Sequence, residues 1–245
     1  MTSKRVPKND GLILDESMIK ILSLEKMIDF DQWWTEKQEE IKSTGEFLLQ
    51  WPVDFEMISS SKLSSDDQLA MLKREQGFTL ARATADPTAR LSIAADNERL
   101  ELLIREYGLC PAKLYEDKYS CAGQTSRVIK AIDWQKLSIL EVHGFSLTKV
   151  GPYDVEEIIY DCENDDEKLR RLIKNHGLSI SSLGNWSMRT LIMGRPISDA
   201  QLWLLLNNGL PLEKLDDEDI TEISCGLSEE NDGRLMLLCQ YGLRL

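Results

Sequence analysis

Apolar and polar positions follow a helical period along most of this 245-residue chain, and the pattern is punctuated by glycines. Gly77, Gly108, Gly144, Gly177, Gly209 and Gly242 each close an apolar stretch, and each is followed by Phe or Leu. Their spacings are 31, 36, 33, 32 and 33 residues, the range in which self-similarity marks stacked helical units. The segments before them read QLAMLKREQ, RLELLIREY, KLSILEVH, KLRRLIKNH, QLWLLLNN and RLMLLCQY. From the second unit on, the positions five and four before the glycine are apolar: Leu103 and Ile104, Ile139 and Leu140, Leu172 and Ile173, Leu204 and Leu205, Leu237 and Leu238. A further leucine lies one turn earlier, at Leu100, Leu137, Leu169, Leu202 and Leu235. This i, i+3, i+4 stripe predicts an amphipathic helix closing each unit. The glycine just past it suits the left-handed C′ position, where a Cβ would be strained.

The residues after each glycine are patterned as well. An aliphatic residue stands three positions on at Leu80, Leu147, Ile180 and Leu212, with Pro111 breaking the series. Fourteen positions on come Leu91, Ile158, Leu191 and Ile223, and seventeen on come Ala94, Asp161, Gly194 and Gly226. Small residues in three of those last four places predict close approach between neighbouring helices, with Asp161 as the exception. A unit of this length, with an LLxxxG-type helix end, an aliphatic residue after the glycine and a small residue in the first helix, resembles the ankyrin repeat over roughly residues 63–245. The resemblance implies a turn and two antiparallel helices per unit, and a concave binding surface on the loops and first helices. The chain departs from the family in that no unit carries Thr-Pro-Leu-His. The expected fold is all-α: a helix-pair repeat solenoid of about five units over residues 63–245, preceded by a non-repeating helical N-terminal region over residues 1–62.

That N-terminal region is expected to form helices over residues 16–27 and 30–42, a break at Trp51-Pro52 and a short element through Ile58, with Ser59-Ser60-Ser61 as the boundary. Trp33, Trp34 and Trp51 are expected to cap the open apolar end of the first unit, because terminal repeats need a different outer face. At the other end RLMLLCQY is expected to close the stack, giving a monomer or a weak homodimer through the C-terminal helix.

Candidate chemistry changes this picture little. The five cysteines at 110, 121, 162, 225 and 239 have no zinc-ligand spacing and read as small buried residues. His143 and His176 directly precede repeat glycines and read as polar helix-end residues, about one helix packing distance (roughly 10 Å) apart and so unable to share a metal. GxGxxG, a Walker-type GKS/T, HExxH and GxSxG are all absent, and GQTSR at residues 123–127 lacks the lysine of a phosphate loop. No enzyme, cofactor or metal is expected. The segment MTSKRVPKND has no secretory apolar run and no window nears eighteen uninterrupted apolar residues, so the expectation is a cytoplasmic protein with no membrane partner.

Charge sharpens the functional reading. The formal net charge is −13, and residues 143–245 contribute 10 basic against 18 acidic residues. Such a surface repels nucleic acid phosphates and favours a basic protein partner. On the loops and first helices the candidate binding residues are Tyr115, Tyr119, Tyr153, Glu156, Trp186, Met188, Arg189 and the acidic run Asp216, Asp217, Glu218 and Asp219. Aromatic residues beside charges suit an interface core with a polar rim. The expected function is non-catalytic binding of another protein through the array, in its most concrete form as an acidic inhibitor or immunity-type protein masking a basic toxin or nucleic-acid enzyme. The alternatives are an adaptor or secreted effector engaging a host protein, and an enzyme or ligand sensor with a pocket between the N-terminal region and the array.

Overall fold

The computed structural model describes residues 29–44, 53–115, 123–163, 165–194, 197–227 and 232–244. The expected helix over residues 16–27, Trp51, Tyr119 and Cys121 lie outside the described residues. All regular secondary structure among the described residues is helical. Contacts divide the chain into two compact units, Met1–Leu48 and Leu49–Leu245.

The first unit contributes α1 (Phe30–Thr44), which matches the helix expected over residues 30–42. Phe30, Trp33 and Trp34 are buried, with ring centroids 5.3 Å apart for Phe30 and Trp33 and 6.2 Å apart for Trp33 and Trp34.

The second unit opens with α2 (Val53–Ser59) and α3 (Asp66–Gln76), followed by α4 (Ala85–Ala94) and α5 (Asn97–Tyr107). Next come α6 (Gln124–Ala131) with α7 (Trp134–Val142), and α8 (Pro152–Asp161) with α9 (Asp166–Lys174). The last pairs are α10 (Asn185–Arg189), continued by a π turn over Thr190–Gly194, with α11 (Asp199–Asn207), and α12 (Asp217–Gly226) with α13 (Asp232–Gln240). The first helices pack in succession, α2 on α4, α4 on α6, α6 on α8, α8 on α10 and α10 on α12; α5 packs on α7 and α9 on α11. Because α2 packs on α4 as α4 does on α6, residues 53–59 group with the helix pairs that follow them and not with the N-terminal region.

The six glycines that punctuate the sequence all adopt positive φ, from 64° to 105°. Beyond each, the chain drops an apolar residue into the core: Phe78, Leu109, Phe145, Leu178, Leu210 and Leu243 are buried. Leu80, Leu147, Ile180 and Leu212 are buried three positions on, and Leu91, Ile158, Leu191 and Ile223 fourteen positions on. Short 3-10 turns at Pro111–Tyr115, Leu147–Lys149, Ile180–Ser182 and Leu212–Lys214 then turn the chain toward the next first helix. The small residue at Gly226 does mark a close approach, since a Cβ there would lie 2.9 Å from Met193 Sδ in the π turn.

One polar contact recurs between pairs. The third residue of the second helix is a long polar side chain that reaches back to carbonyls at or just beyond the end of the preceding pair's first helix. Arg99 Nη2 donates to Ser64 O, Lys136 Nζ to Ile93 O at 2.9 Å, and Gln201 Nε2 to Cys162 O at 2.5 Å. Arg234 donates to Ile192 O at 3.1 Å and to Ile197 O. Helix ends leave carbonyls without intrahelical partners, and the latches bring such groups a donor from the next pair, although Cys162 O also accepts from Asp165 N at 2.8 Å.

Two cysteine expectations divide. Cys162 is fully buried, and burial pushes its thiol up to about 11. Cys225 is exposed, because it occupies an outward position of α12 instead of the core. Among the described residues of the last helix only Leu238 is buried, and Met236 is 64% exposed. Among the described residues, no helix is long and apolar enough to cross a membrane.

Candidate functional site

The N-terminal turns of α8, α10 and α12 hold most of the candidate binding residues, and the sequence fixes each start locally. Pro152 occupies the first turn of α8 behind Gly151, where its missing N–H costs nothing. Asn185 opens α10, and its side-chain oxygen accepts from Trp186 N at 2.9 Å. Asp216 caps α12 in a reciprocal box, with Asp219 N donating to Asp216 Oδ1 at 2.8 Å and Asp216 N to Asp219 Oδ2 at 3.4 Å.

These turns are tied together by the third residue of each helix. Ser126 N of α6 donates to Asp154 Oδ1 of α8 at 3.1 Å. Burial nevertheless holds the Asp154 carboxyl above its ordinary value, against the bonds from Ser126 that lower it. Ser187 Oγ of α10 donates to Glu156 Oε2 of α8 at 2.6 Å, and Asn185 Nδ2 of α10 donates to Asp219 Oδ2 of α12 at 3.2 Å. Arg189 adds Nη1 contacts of 2.7 Å to Glu222 and 3.6 Å to Asp219. The result is a surface whose backbone is fixed by side-chain bonds at every step, so groups projecting from it are held in place before any partner arrives.

Four candidates project from this surface. Tyr153 is 46% exposed and Trp186 is 56% exposed, each at the second position of its helix, and Asp217 and Glu218 are exposed in the first turn of α12. Arg189 is half-buried in its ion pairs, and Asp216 is committed to its cap.

Three others do not face outward. Glu156 is 3% exposed and takes hydrogen bonds from Ser187 and, at 3.3 Å, from Tyr160 Oη, so it joins helices instead of greeting a partner. Met188 is 0% exposed because it falls on the core face of α10. Asp219 is buried between its cap and Asn185. The acidic run therefore splits into two structural and two outward carboxylates.

Tyr115 is placed elsewhere. Its hydroxyl donates to Gly144 O at 3.1 Å, its ring lies 6.0 Å from Phe145, and Lys149 Nζ stands 5.7 Å above it. It is thus a half-buried joint between successive pairs. Tyr119 lies outside the described residues.

The reading from sequence missed Asn185, which positions α10 against α12, and the latch residues. The latter had a visible signal: Arg99, Lys136, Lys168, Gln201 and Arg234 are the first letters of the last five of the six aligned segments. No protein-family model matches the chain, and no curated protein or solved structure is significantly similar to it.

Proposed function

We propose that residues 53–244 form a helix-pair repeat solenoid of the ankyrin-like kind and that the chain acts without catalysis, by binding another protein through the N-terminal turns of α8, α10 and α12. The observation that carries this reading is the exposure of Tyr153 and Trp186 on adjacent helices, beside Asp217 and Glu218, on a framework fixed by Ser187–Glu156 and Asn185–Asp219. Large aromatic side chains with two rotatable bonds supply contact area at low entropic cost, and they dominate the centres of interfaces. The partner that fits is basic. The carboxylates of residues 143–245, in excess over basic groups by eight, would accelerate its approach and make the association sensitive to salt. In the form this charge favours, the chain masks a basic toxin or nucleic-acid enzyme by covering its cationic surface.

The test is affinity capture of the tagged chain from its native cells across a salt titration, repeated with a Trp186→Ala, Asp217→Lys variant. The reading requires a stoichiometric basic protein released by raised salt, and its loss from the variant at an unchanged melting temperature. Equal recovery by both proteins would remove this surface from the interface.

A further inference from the structure

Of the five junctions between described helix pairs, the one between α6–α7 and α8–α9 lacks the latch. Lys168 holds the third position of α9, as Arg99, Lys136, Gln201 and Arg234 do in their helices, yet its ammonium makes no hydrogen bond or ion pair among the described residues. The place that a latch would fill is a cavity of about 300 Å³, lined by Lys168 and by Ile129 and Ile132 at the end of α6.

The rest of the lining is suited to a ligand. Ile132 gives it a half-buried apolar side and Trp134 an aromatic wall. Arg171 lies one turn along α9 from Lys168, on the same helix face, with its guanidinium carbon 4.4 Å from the Trp134 ring centroid. His176 stacks on Trp134 at 5.3 Å with 12° between planes, and its Nδ1 stands 3.0 Å from both carboxylate oxygens of Glu141, which fixes the wall.

The charges at the cavity are asymmetric in their commitments. Asp133 Oδ1 accepts from Lys136 N, and Asp165 Oδ1 from Lys168 N, each at 2.8 Å. Glu167 lies 3.8 Å from Arg170. Among the described residues Lys168 and Arg171 have no carboxylate within ion-pair distance. The groove between α3 and α5 shows the contrast, for there Lys73 donates to Glu106 O at 2.6 Å and lies 3.5 Å from its carboxylate. A guanidinium stacked on an aromatic face keeps its edge donors free, and an ammonium beside it adds a second point of attachment.

We propose that this cavity is a binding site for a small organic anion with a flat apolar body, namely an aromatic carboxylate. The acid group pairs with Lys168 and Arg171, and the ring lies against Trp134 and the aliphatic side chain of Ile132. The volume stands at the lower end of the range of ligand pockets, which restricts the occupant to about one fused ring pair. The site is independent of the protein-binding surface proposed above, with which it shares no residue.

The probe is 2-naphthoate, titrated into the full chain by calorimetry and followed by tryptophan fluorescence, with Trp134→Phe identifying the reporter. The expected result is saturable binding with one site, weakened at least roughly tenfold by Lys168→Ala with Arg171→Ala and, to a similar degree, by replacing the probe with neutral 2-naphthamide. Amide shifts on binding should centre on residues 129–137 and 165–172. Both substitutions replace groups without a carboxylate partner, so circular dichroism should show the variant folded, and Lys168→Ala alone serves if the double variant is not. Absence of saturable binding at millimolar probe, an affinity unchanged by the variants, or equal binding of the amide would each overturn the proposal.

Discussion

Ser187 Oγ donates to Glu156 Oε2 at 2.6 Å, and both side chains are buried where α8 meets α10. A carboxylate so placed needs its donors, because an unsatisfied buried acceptor carries the full desolvation penalty. Ser187→Ala should therefore destabilise by about 1–3 kcal/mol, measured as a shift in urea midpoint at unchanged slope. Glu156→Gln should cost less, since an amide oxygen still accepts from Ser187 and no charge is left without a partner. Equal losses from both would mean that the contact contributes through packing alone.

The latches make a second prediction by comparison. Gln201 is fully buried and donates to Cys162 O while its side-chain oxygen accepts from Ser198 N at 3.2 Å. Gln201→Ala should cost about 1–3 kcal/mol, whereas Lys168→Ala, at the same position without the bond, should stay within about 0.5 kcal/mol. Thermal melts of the two variants under one buffer check the difference. A large loss at Lys168 would contradict the open junction.

Cys162 supplies a pH prediction. Burial raises its thiol from 9.0 to about 11, so between those values the unfolded chain has lost the proton while the folded chain keeps it. The unfolded state then binds fewer protons, and stability falls as pH rises through this window by up to about 1.4 kcal/mol per unit. Below pH 9 the contribution is fully present. The slope should become shallower in Cys162→Ala, with the remainder left to Tyr107, Lys130 and Lys136. At pH 8 a thiol reagent should label exposed Cys225 first and Cys162 last, read by peptide mass spectrometry.

Gly177 tests the glycine positions. Its φ is 70°, and a Cβ would stand 3.0 Å from Thr148 Cγ2. Gly77, at φ 64°, has nothing within 4 Å of the same point. Gly77→Ala should cost about 1 kcal/mol from the left-handed backbone alone, and Gly177→Ala should cost more because Thr148 must also move. Paired denaturation curves decide this.

The second helices were legible in the sequence, since Leu100, Leu103, Leu137, Leu140, Leu169, Leu172, Leu202 and Leu205 are buried as their spacing predicts. Burial drives both the pattern and the packing, so one reports the other. The first helices were harder to read. In α10 only five α-helical residues precede the π turn, too few for a period to show which side Met188 takes, and it lies in the core. Glu156 reads as a surface charge because its shorter hydrogen bond comes from a serine hydroxyl 31 residues away, which the local pattern around it does not show. The latch column is visible as letters, but its acceptors are backbone carbonyls of another pair, which no side-chain pattern encodes. The cavity beside Lys168 goes with a missing bond, a feature that emerges only once the pairs are stacked.

The latches reach one pair back and no further, which gives the molecule a mechanical character. A pull on residues 53 and 244 would load the junctions in series, and four of them resist with hydrogen bonds that must stretch before the helices part. The fifth, between α6 and α9, has no latch and is held instead by Ser126 N on Asp154 at 3.1 Å, Lys130 on Asp161 at 2.6 Å and His176 on Glu141 at 3.0 Å. That junction is therefore held through carboxylates instead of backbone carbonyls, and a ligand bridging Lys168 to Trp134 would add a tie there without touching the other four.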